Sequence, residues 1–159
     1  GNDQFPGNAP SVIVKGSGSH CWDDKGTEFI DWGMGLRSVI LGHAFEPVLD
    51  AVREQLLLGS NFTRPSPIEA LLAQELISLI PCAEMCKFAK NGSDVTTAAT
   101  RLARAYTGRK FIARCSDNPF FSFDDWFIGN TVIKKGIPIE SMSLTKRFKY
   151  NDIQSVYEI

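Results

Sequence analysis

The sequence predicts an α/β fold in which an antiparallel meander precedes a parallel sheet packed by helices. Residues 12–32 hold short runs of strand-forming residues separated by glycine-bearing breaks, which is the pattern of antiparallel strands. Two later segments, 47–58 and 66–79, carry apolar residues at helical spacing. Residues 87–113 then have the pattern of strand, turn, helix and strand. This is a βαβ unit, which implies parallel strands.

The composition is typical of one globular domain. The chain has 159 residues, 43% of them hydrophobic, and its 17 basic and 18 acidic residues leave a net charge of −1. A chain of this length can bury roughly 70% of the surface that its unfolded form exposes. Disorder, collagen and coiled coil are excluded. Because the balanced charge attracts no polyanion, we expect no nucleic-acid partner.

The sequence also predicts a cytoplasmic protein without a membrane partner. No apolar run approaches the roughly 20 residues needed to cross a bilayer. Residues 1–10 lack the basic and apolar regions of a signal peptide.

Neither a disulfide scaffold nor a metal site is expected. Four cysteines are too few for the former, and a zinc site would need a second close pair or neighbouring histidines. Buried free thiols are the expectation. The residues concerned are Cys21, Cys82, Cys86, Cys115, His20 and His43.

The meander is predicted from three runs and the turns between them. Gly16 and Gly18 begin a G-x-G, but Cys21 stands where a third glycine belongs, and a hairpin follows instead of a helix. A dinucleotide-binding fingerprint is therefore excluded. The runs are 12–14, 20–22 and 29–32.

Two amphipathic helices are expected next. An apolar stripe covers 47–58, and Pro47 suits the first helical turn, where its missing N–H costs nothing. The second helix begins with a capping box, in which the Ser66 hydroxyl and the Glu69 carboxylate can each satisfy an orphan amide. Its stripe continues until Pro81.

The βαβ unit is predicted from 87–89 as a strand, 91–94 as a turn, 96–106 as a helix and 111–113 as the next strand. We expect this helix to turn its apolar residues toward the protein and two arginines toward solvent. The apolar set is Ala99, Leu102, Ala103 and Tyr106, and the arginines are Arg101 and Arg104.

Three weaker patterns follow. Residues 137–144 read as a strand, and a last helix is expected to begin at Asn151 and Asp152 and to stop at Ile159 without a C-cap. Such an ending predicts that the chain stops inside a larger domain. A basic run is expected on an exposed strand edge. It consists of Lys146, Arg147 and Lys149.

Adjacent carboxylates at Asp124 and Asp125 invite a general acid–base role. The order Ser122-Phe123-Asp124-Asp125 favours a capping box, and hence a helix start, over that role.

The turn at 91–94 is the main candidate for a binding site. Between a strand and a helix, free backbone N–H groups point outward and the helix dipole supplies about half a positive charge. Gly92 permits close approach and Ser93 offers a hydroxyl, so this turn could hold a phosphate without a lysine. A hairpin turn or plain N-capping by Ser93 or Asp94 are the alternatives.

Several motifs together resemble class III pyridoxal-phosphate aminotransferases. N-G-S-D at 91–94, followed by T-A-A and R-L-A-R-A-Y-T-G-R through 109, is similar to the family's N-S-G-T-E-A and A-x-R-L-A-R-x-x-T-G-R. W-D-D-K-G-T-E-F-I-D at 22–31 is similar to W-D-x-D-G-x-x-Y-I-D, and L-G-H at 41–43 with the residues of 47–55 resembles the family's L-G-H segment. The resemblance extends from about residue 10 to the end and is strongest to the glutamate semialdehyde aminomutase-like branch.

This resemblance implies a fold and a division of the chain. The fold would be the fold type I of pyridoxal-phosphate-dependent transferases, with a three-layer α/β/α large domain that is incomplete here and preceded by the meander. Residues 1–60 would contribute to the small domain, and residues 61–159 would begin the large, cofactor-binding domain. Family members are homodimers, so a homodimer is expected.

The resemblance also implies site residues. Gly92 and Ser93 fall where the family holds the cofactor phosphate, and Asp94 replaces the family's glutamate. Where the family has Y-H-G, this chain has Phe-Phe-Ser, so Phe120 or Phe121 is expected to stack on the pyridine ring without a polar contact. The alternative is a core cluster of aromatic residues that needs no ligand. That cluster would comprise Phe120, Phe121, Phe123, Trp126 and Phe127.

Arg37 lies in the segment that the family places near the substrate entrance. Its guanidinium could bind a carboxylate or phosphate of the substrate, and a merely solvated arginine is the alternative.

The implied activity is amino-group transfer through a pyridoxal-phosphate aldimine, which needs a Schiff-base lysine. No lysine here matches that role, and Lys90 does not occupy its position, so no catalytic residue is expected in this chain and the chain alone should be inactive. The Phe-Phe-Ser departure leaves room for an amine, amino acid or amino-sugar substrate. The alternative is a non-catalytic phosphate-binding or dimerisation module.

Overall fold

The computed structural model describes residues 9–117 and 122–159. The chain divides into two compact units, Gly1–Ala70 and Leu71–Ile159. The stacking residues expected at Phe120 and Phe121 lie outside the described residues.

The first unit contains the predicted meander. Strands β1 (Ile13–Ser17), β2 (His20–Asp23) and β3 (Glu28–Ile30) pair antiparallel in that order. The register places Cys21 opposite Gly16 on one side and Phe29 on the other. Cys21 is buried.

A left-handed turn and a helix follow the meander. The turn α1 (Met34–Arg37) has positive φ angles at every residue, between 45° and 74°. The helix α2 (Glu46–Leu57) has Pro47 in its first turn, as predicted. The predicted second helix is α3 (Pro67–Leu79), which spans the boundary between the two units.

The second unit is built around one long helix and two parallel strands. Its elements are α4 (Gly92–Thr107), β4 (Ile112–Cys115), α5 (Asp125–Ile128), α6 (Ile139–Ser143), β5 (Thr145–Phe148) and α7 (Gln154–Tyr157). Strands β4 and β5 pair in parallel, with Ala113 opposite Lys146. Lys146 and Arg147 of the basic run thus lie exposed on β5, as predicted, whereas Lys149, also exposed, follows the strand.

Two predicted strands are wrong. Residues 87–89 are in no strand, because a strand needs a hydrogen-bonded neighbour and no described segment pairs with them. Residues 137–144 are mostly helix α6, which Pro138 precedes as the N-cap residue. An alternating pattern over so few residues does not distinguish a strand from a short helix.

The predicted inward face of α4 is also wrong. Leu102 is 70% exposed and Tyr106 is 91% exposed. The helix instead turns its hydroxyl-bearing side toward the unit, where Thr97 meets α5 and the Arg104 Nε donates to the carbonyl of Lys110 at 2.9 Å. Helical spacing shows which residues share a face, whereas specific neighbours decide which face is covered.

Few apolar side chains are buried, although the composition predicts a sizeable core. Among the described residues the buried apolar side chains are Cys21 and Phe127. Phe127 packs edge-on against the Trp126 ring, with the Arg114 guanidinium 4.2 Å from its ring centre. The predicted burial of the thiols is wrong for Cys82 and Cys86. Both are exposed, because they lie in the irregular segment after α3.

No helix in the described part of the chain is long and apolar enough to span a membrane. Within the same residues no group of three or more histidine, cysteine or acidic side chains could hold a metal ion.

We expect Gly16→Ala to destabilise the first unit. A Cβ at residue 16 would lie 2.6 Å from the Cγ of His43, and overpacking of this kind costs about 1–3 kcal/mol. Urea unfolding followed by tryptophan fluorescence would measure the loss. Ser17→Ala, at the neighbouring exposed strand position, is the control, and equal stability of the two variants would contradict the close packing of Gly16 on His43.

Candidate functional site

The N-terminus of α4 is fixed by reciprocal hydrogen bonds between Asn91 and Asp94. Asn91 is extended, and its Oδ1 accepts the amide of Asp94 at 3.0 Å. The Asn91 Nδ2 donates to the Asp94 Oδ2, also at 3.0 Å. The cap residue is therefore Asn91 and not Ser93 or Asp94, and a helix leaves this turn rather than a hairpin strand.

Two backbone amides remain unused at this helix end. The N–H groups of Gly92 and Ser93 have no acceptor among the described residues. Ser93 is only 8% exposed, and its hydroxyl likewise makes no hydrogen bond within that part of the chain. A Cβ on Gly92 would meet nothing within 4 Å, so the space beside its backbone is open. Two free donors, a hydroxyl and the dipole of a 16-residue helix together favour an anion.

A polar network one turn further along α4 was missed by the sequence analysis. The Thr97 hydroxyl donates to Asp124 Oδ2 and accepts from the Trp126 Nε1 at 2.8 Å. It thus uses its donor and an acceptor position together. The predicted helix start in this segment is confirmed, with Asp124 as the N-cap residue of α5.

Ser122 lies at the base of this network. It is completely buried, and its hydroxyl accepts the amide of Asp124 at 3.3 Å. The predicted capping box starting at Ser122 is wrong in detail, because the serine bonds two residues ahead and the helix begins later. The segment that directly follows Phe120 and Phe121 is thereby tied to α4. The only signal in the sequence was Thr97 itself, within the T-A-A motif.

Asp31 and His43 form the most connected polar pair of the first unit. The Nε2–H of His43 donates to Asp31 Oδ2 at 2.7 Å, and Asp31 Oδ1 accepts the amides of Gly33 and Met34 at 3.0 Å each. The hydrogen bond from the His43 ring, followed by the bond from the Met34 amide, lowers the pKa of Asp31 below its ordinary value of 3.8.

A cavity of about 280 Å³ lies beside this pair. Directly after β1, Gly18 exchanges two backbone hydrogen bonds of 2.9 Å with His43. The apolar wall of the cavity consists of Met34, Val39, Ile40 and Leu41.

Arg37 ends the left-handed turn with a φ of 74° and an exposed side chain. It belongs to the first unit, whereas Gly92, Ser93 and Asp94 belong to the second. The latter three do come together at one helix end.

Comparisons with known proteins identify the family. The model of the class-III aminotransferases matches residues 4–155. The chain is 34% identical to a glutamate-1-semialdehyde 2,1-aminomutase of Thermus thermophilus and 35% identical to one of Aquifex aeolicus, in each case over 96% of this chain and 38% of the relative. The chain belongs to the class-III aminotransferase family.

Solved structures agree on the fold. The FumI protein of Sphingopyxis sp. MTA144, in its PLP internal aldimine form, superposes with a TM-score of 0.88 at 30% identity, over 99% of this chain and 37% of that one. An omega-transaminase from Sphaerobacter thermophilus superposes with a TM-score of 0.86 at 25% identity, over 97% of this chain and 38% of the transaminase. The predicted fold type I is thus confirmed as a partial α/β domain. The chain spans somewhat over a third of the length of these relatives.

We expect Thr97→Val to destabilise the second unit by about 1–3 kcal/mol, because the isosteric change leaves the Asp124 carboxylate and the Trp126 indole without their shared partner. Urea unfolding, monitored by circular dichroism, would measure this loss in the free energy of unfolding. Thr97→Ser keeps the hydroxyl and is the control. If the valine variant were as stable as the serine variant, the network would have no energetic role.

We expect His43→Ala to raise the pKa of Asp31 toward 3.8. Because the folded pKa is lowered, ionised Asp31 stabilises the fold above its unfolded pKa, and this contribution is lost as the pH falls through the folded pKa. Titration of the Asp31 carboxyl carbon by NMR should give a midpoint below 3.8 in the wild type and nearer 3.8 in the variant. Equal midpoints in the two proteins would show that His43 does not lower the pKa of Asp31.

Proposed function

We propose that this chain forms the cofactor-phosphate-binding part of a pyridoxal-phosphate-dependent aminotransferase or aminomutase. The observation that carries the proposal is the start of α4, where the amides of Gly92 and Ser93 have no acceptor within the described part of the chain and lie beside the Ser93 hydroxyl. Family membership, and relatives that are aminomutases and a PLP-containing FumI protein, support the same cofactor.

The residues present suit a phosphate. Backbone amides at a helix N-terminus bind a dianion through hydrogen bonds and through the helix dipole. The one carboxylate in this first turn, Asp94, accepts a hydrogen bond from Asn91, so part of its charge is engaged in the cap. Gly92 and Ser93 would hold the phosphate, and Asp94 would keep the helix end in shape through the same cap.

When bound, pyridoxal phosphate supplies an electron sink for the substrate amine. This chain would contribute binding and orientation. Phe120 or Phe121 would stack on the cofactor ring, and the Thr97–Asp124 bond would fix the chain just after them. Arg37 would bind an anionic group of an amine, amino acid or amino-sugar substrate.

The proton-transferring lysine lies elsewhere in this proposal. No lysine of the chain matches its family position, and Lys90 is exposed beside the phosphate turn. The chain by itself would therefore not transfer an amino group. That it spans 38% of its relatives supports a parent protein that supplies the missing residue.

We also propose a cytoplasmic homodimer. The exposed apolar side of α4, which includes Val95, Leu102 and Tyr106, supports association with further protein surface. A non-catalytic phosphate-binding or dimerisation module is the second candidate, favoured by the same exposed side.

Adding pyridoxal phosphate to the ¹⁵N-labelled chain should shift the amide signals of Gly92 and Ser93, since each of these N–H groups is free to donate a hydrogen bond to the phosphate. Pyridoxal without phosphate should leave them unmoved. Ser93→Ala should weaken binding about tenfold, the equivalent of one hydrogen bond to a charged group. Ser66→Ala, just before α3, is the matched control.

Borohydride reduction then separates the candidate functions. In the parent enzyme one lysine should become covalently labelled at one equivalent of cofactor, whereas this chain should show no preferred lysine. A phosphate-binding module would shift the two amides but label no lysine even in the parent protein. Unmoved Gly92 and Ser93 signals would overturn the cofactor site.

A further inference from the structure

The strained turn α1 is connected to the rest of its unit through one carboxylate. Among the described residues, the other hydrogen bonds made by α1 join residues 33–39 to one another, such as the amide of Arg37 to the carbonyl of Gly33 at 3.2 Å. Asp31 Oδ1 accepts the amides of Gly33 and Met34 from outside that set. This carboxylate is therefore the hydrogen-bonded link between the turn and strand β3.

The same carboxylate is held from its other side. Its Oδ2 accepts from the His43 ring, and the backbone amide of Asp31 donates to the carbonyl of Ser19 at 2.8 Å. His43 is itself fixed by its paired bonds with Gly18 and by Gly16, which leaves no room for a side chain against the imidazole. Both oxygens of Asp31 thus have defined partners, and the carboxylate cannot turn away from α1 without breaking a contact.

The turn would not keep its shape by local preference. Met34, Leu36 and Arg37 carry side chains and have φ angles of 45°, 57° and 74°. L-residues avoid this region because Cβ approaches the following carbonyl oxygen. Residues held in such conformations persist only where their surroundings impose them, and they concentrate at functional sites.

The handedness of the turn determines where Arg37 points. A change from left-handed to right-handed φ rotates the Cα–Cβ bond relative to the chain, so the guanidinium would leave its present direction. We propose that Asp31, held by His43, is a positioning residue that keeps α1 left-handed and thereby presents Arg37 to a carboxylate of the substrate. This rests on the role of Arg37 in the proposed function, and Asp31 itself is given no contact with substrate.

Asp31→Ala, made in the full chain, tests the positioning. Asp23→Ala is a matched control, because Asp23 Oδ1 also accepts two backbone amides, of Lys25 and Thr27, in another turn of the same unit. In ¹³C,¹⁵N-labelled protein we expect Asp31→Ala to speed amide exchange of Gly33 and Met34 at least about tenfold and to move the Cα and Cβ shifts of Leu36 and Arg37 out of the left-handed range. The control should do neither.

Asp31→Asn should rescue the turn, since an amide oxygen can still accept both amides. His43→Ala should loosen the turn less than Asp31→Ala, because Oδ1 keeps its contacts. A left-handed α1 that survives in Asp31→Ala overturns the proposal. Should Asp31→Ala fail to fold, unchanged exchange at Gly33 and Met34 in His43→Ala overturns the part assigned to His43, and faster exchange supports it.

Succinate serves as the dicarboxylate probe, followed through the Arg37 Nε–H signal. We expect it to move that signal in the wild type and in Asp23→Ala, and to bind at least about tenfold more weakly to Asp31→Ala. If succinate leaves Arg37 unmoved in the wild type while Asp31→Ala still loses the turn, the substrate role of Arg37 is overturned and the positioning role of Asp31 stands.

Discussion

The hydrogen bond from the Asp94 amide to the Asn91 side chain governs the candidate site. It begins α4 at Gly92, so the first two amides of the helix have neither a helical acceptor nor a side-chain acceptor among the residues that the structure describes. Had Ser93 been the cap, its hydroxyl would be directed back onto the helix and would no longer serve a ligand. The cap therefore decides both where the helix starts and which donors remain for an anion.

The two units fix short segments in the same way. In each, an aspartate accepts hydrogen bonds from a neighbouring segment: Asp31 from the residues of α1 and from His43, and Asp124 from Thr97 and Ser122. An ionised carboxylate has two oxygens with about four acceptor sites, so it can take more donors at once than the single oxygen of a hydroxyl or an amide. Both aspartates hold short segments whose own hydrogen bonds are too few to fix them.

Sequence patterns predicted the elements whose determinants are local. The meander follows from alternation and turn residues, α2 from Pro47 and its apolar stripe, and α4 from the pattern of 96–106, although the helix begins earlier, at Gly92. The prediction failed where the determinant was a distant neighbour. Residues 87–89 have strand-forming side chains but no paired strand, and α4 shows its apolar side to solvent because Thr97 finds Asp124 27 residues away. Pro138 was a local signal for the start of helix α6, but the short alternating pattern after it favoured a strand.

The same distinction explains how the start of α4 keeps an ordered set of free donors although few apolar side chains of the described residues are buried. The donors at Gly92 and Ser93 are ordered by bonds that span three or four residues, which form whenever the helix forms. The helix in turn gains from a glycine C-cap, Gly108, in the left-handed conformation, whose amide donates to Arg104. A proton-transferring lysine and a ring-stacking residue have no such local source, because their positions depend on packing across the whole domain. The donors proposed to bind the phosphate thus depend on local bonds, whereas groups at the other end of a bound cofactor would depend on packing between distant segments.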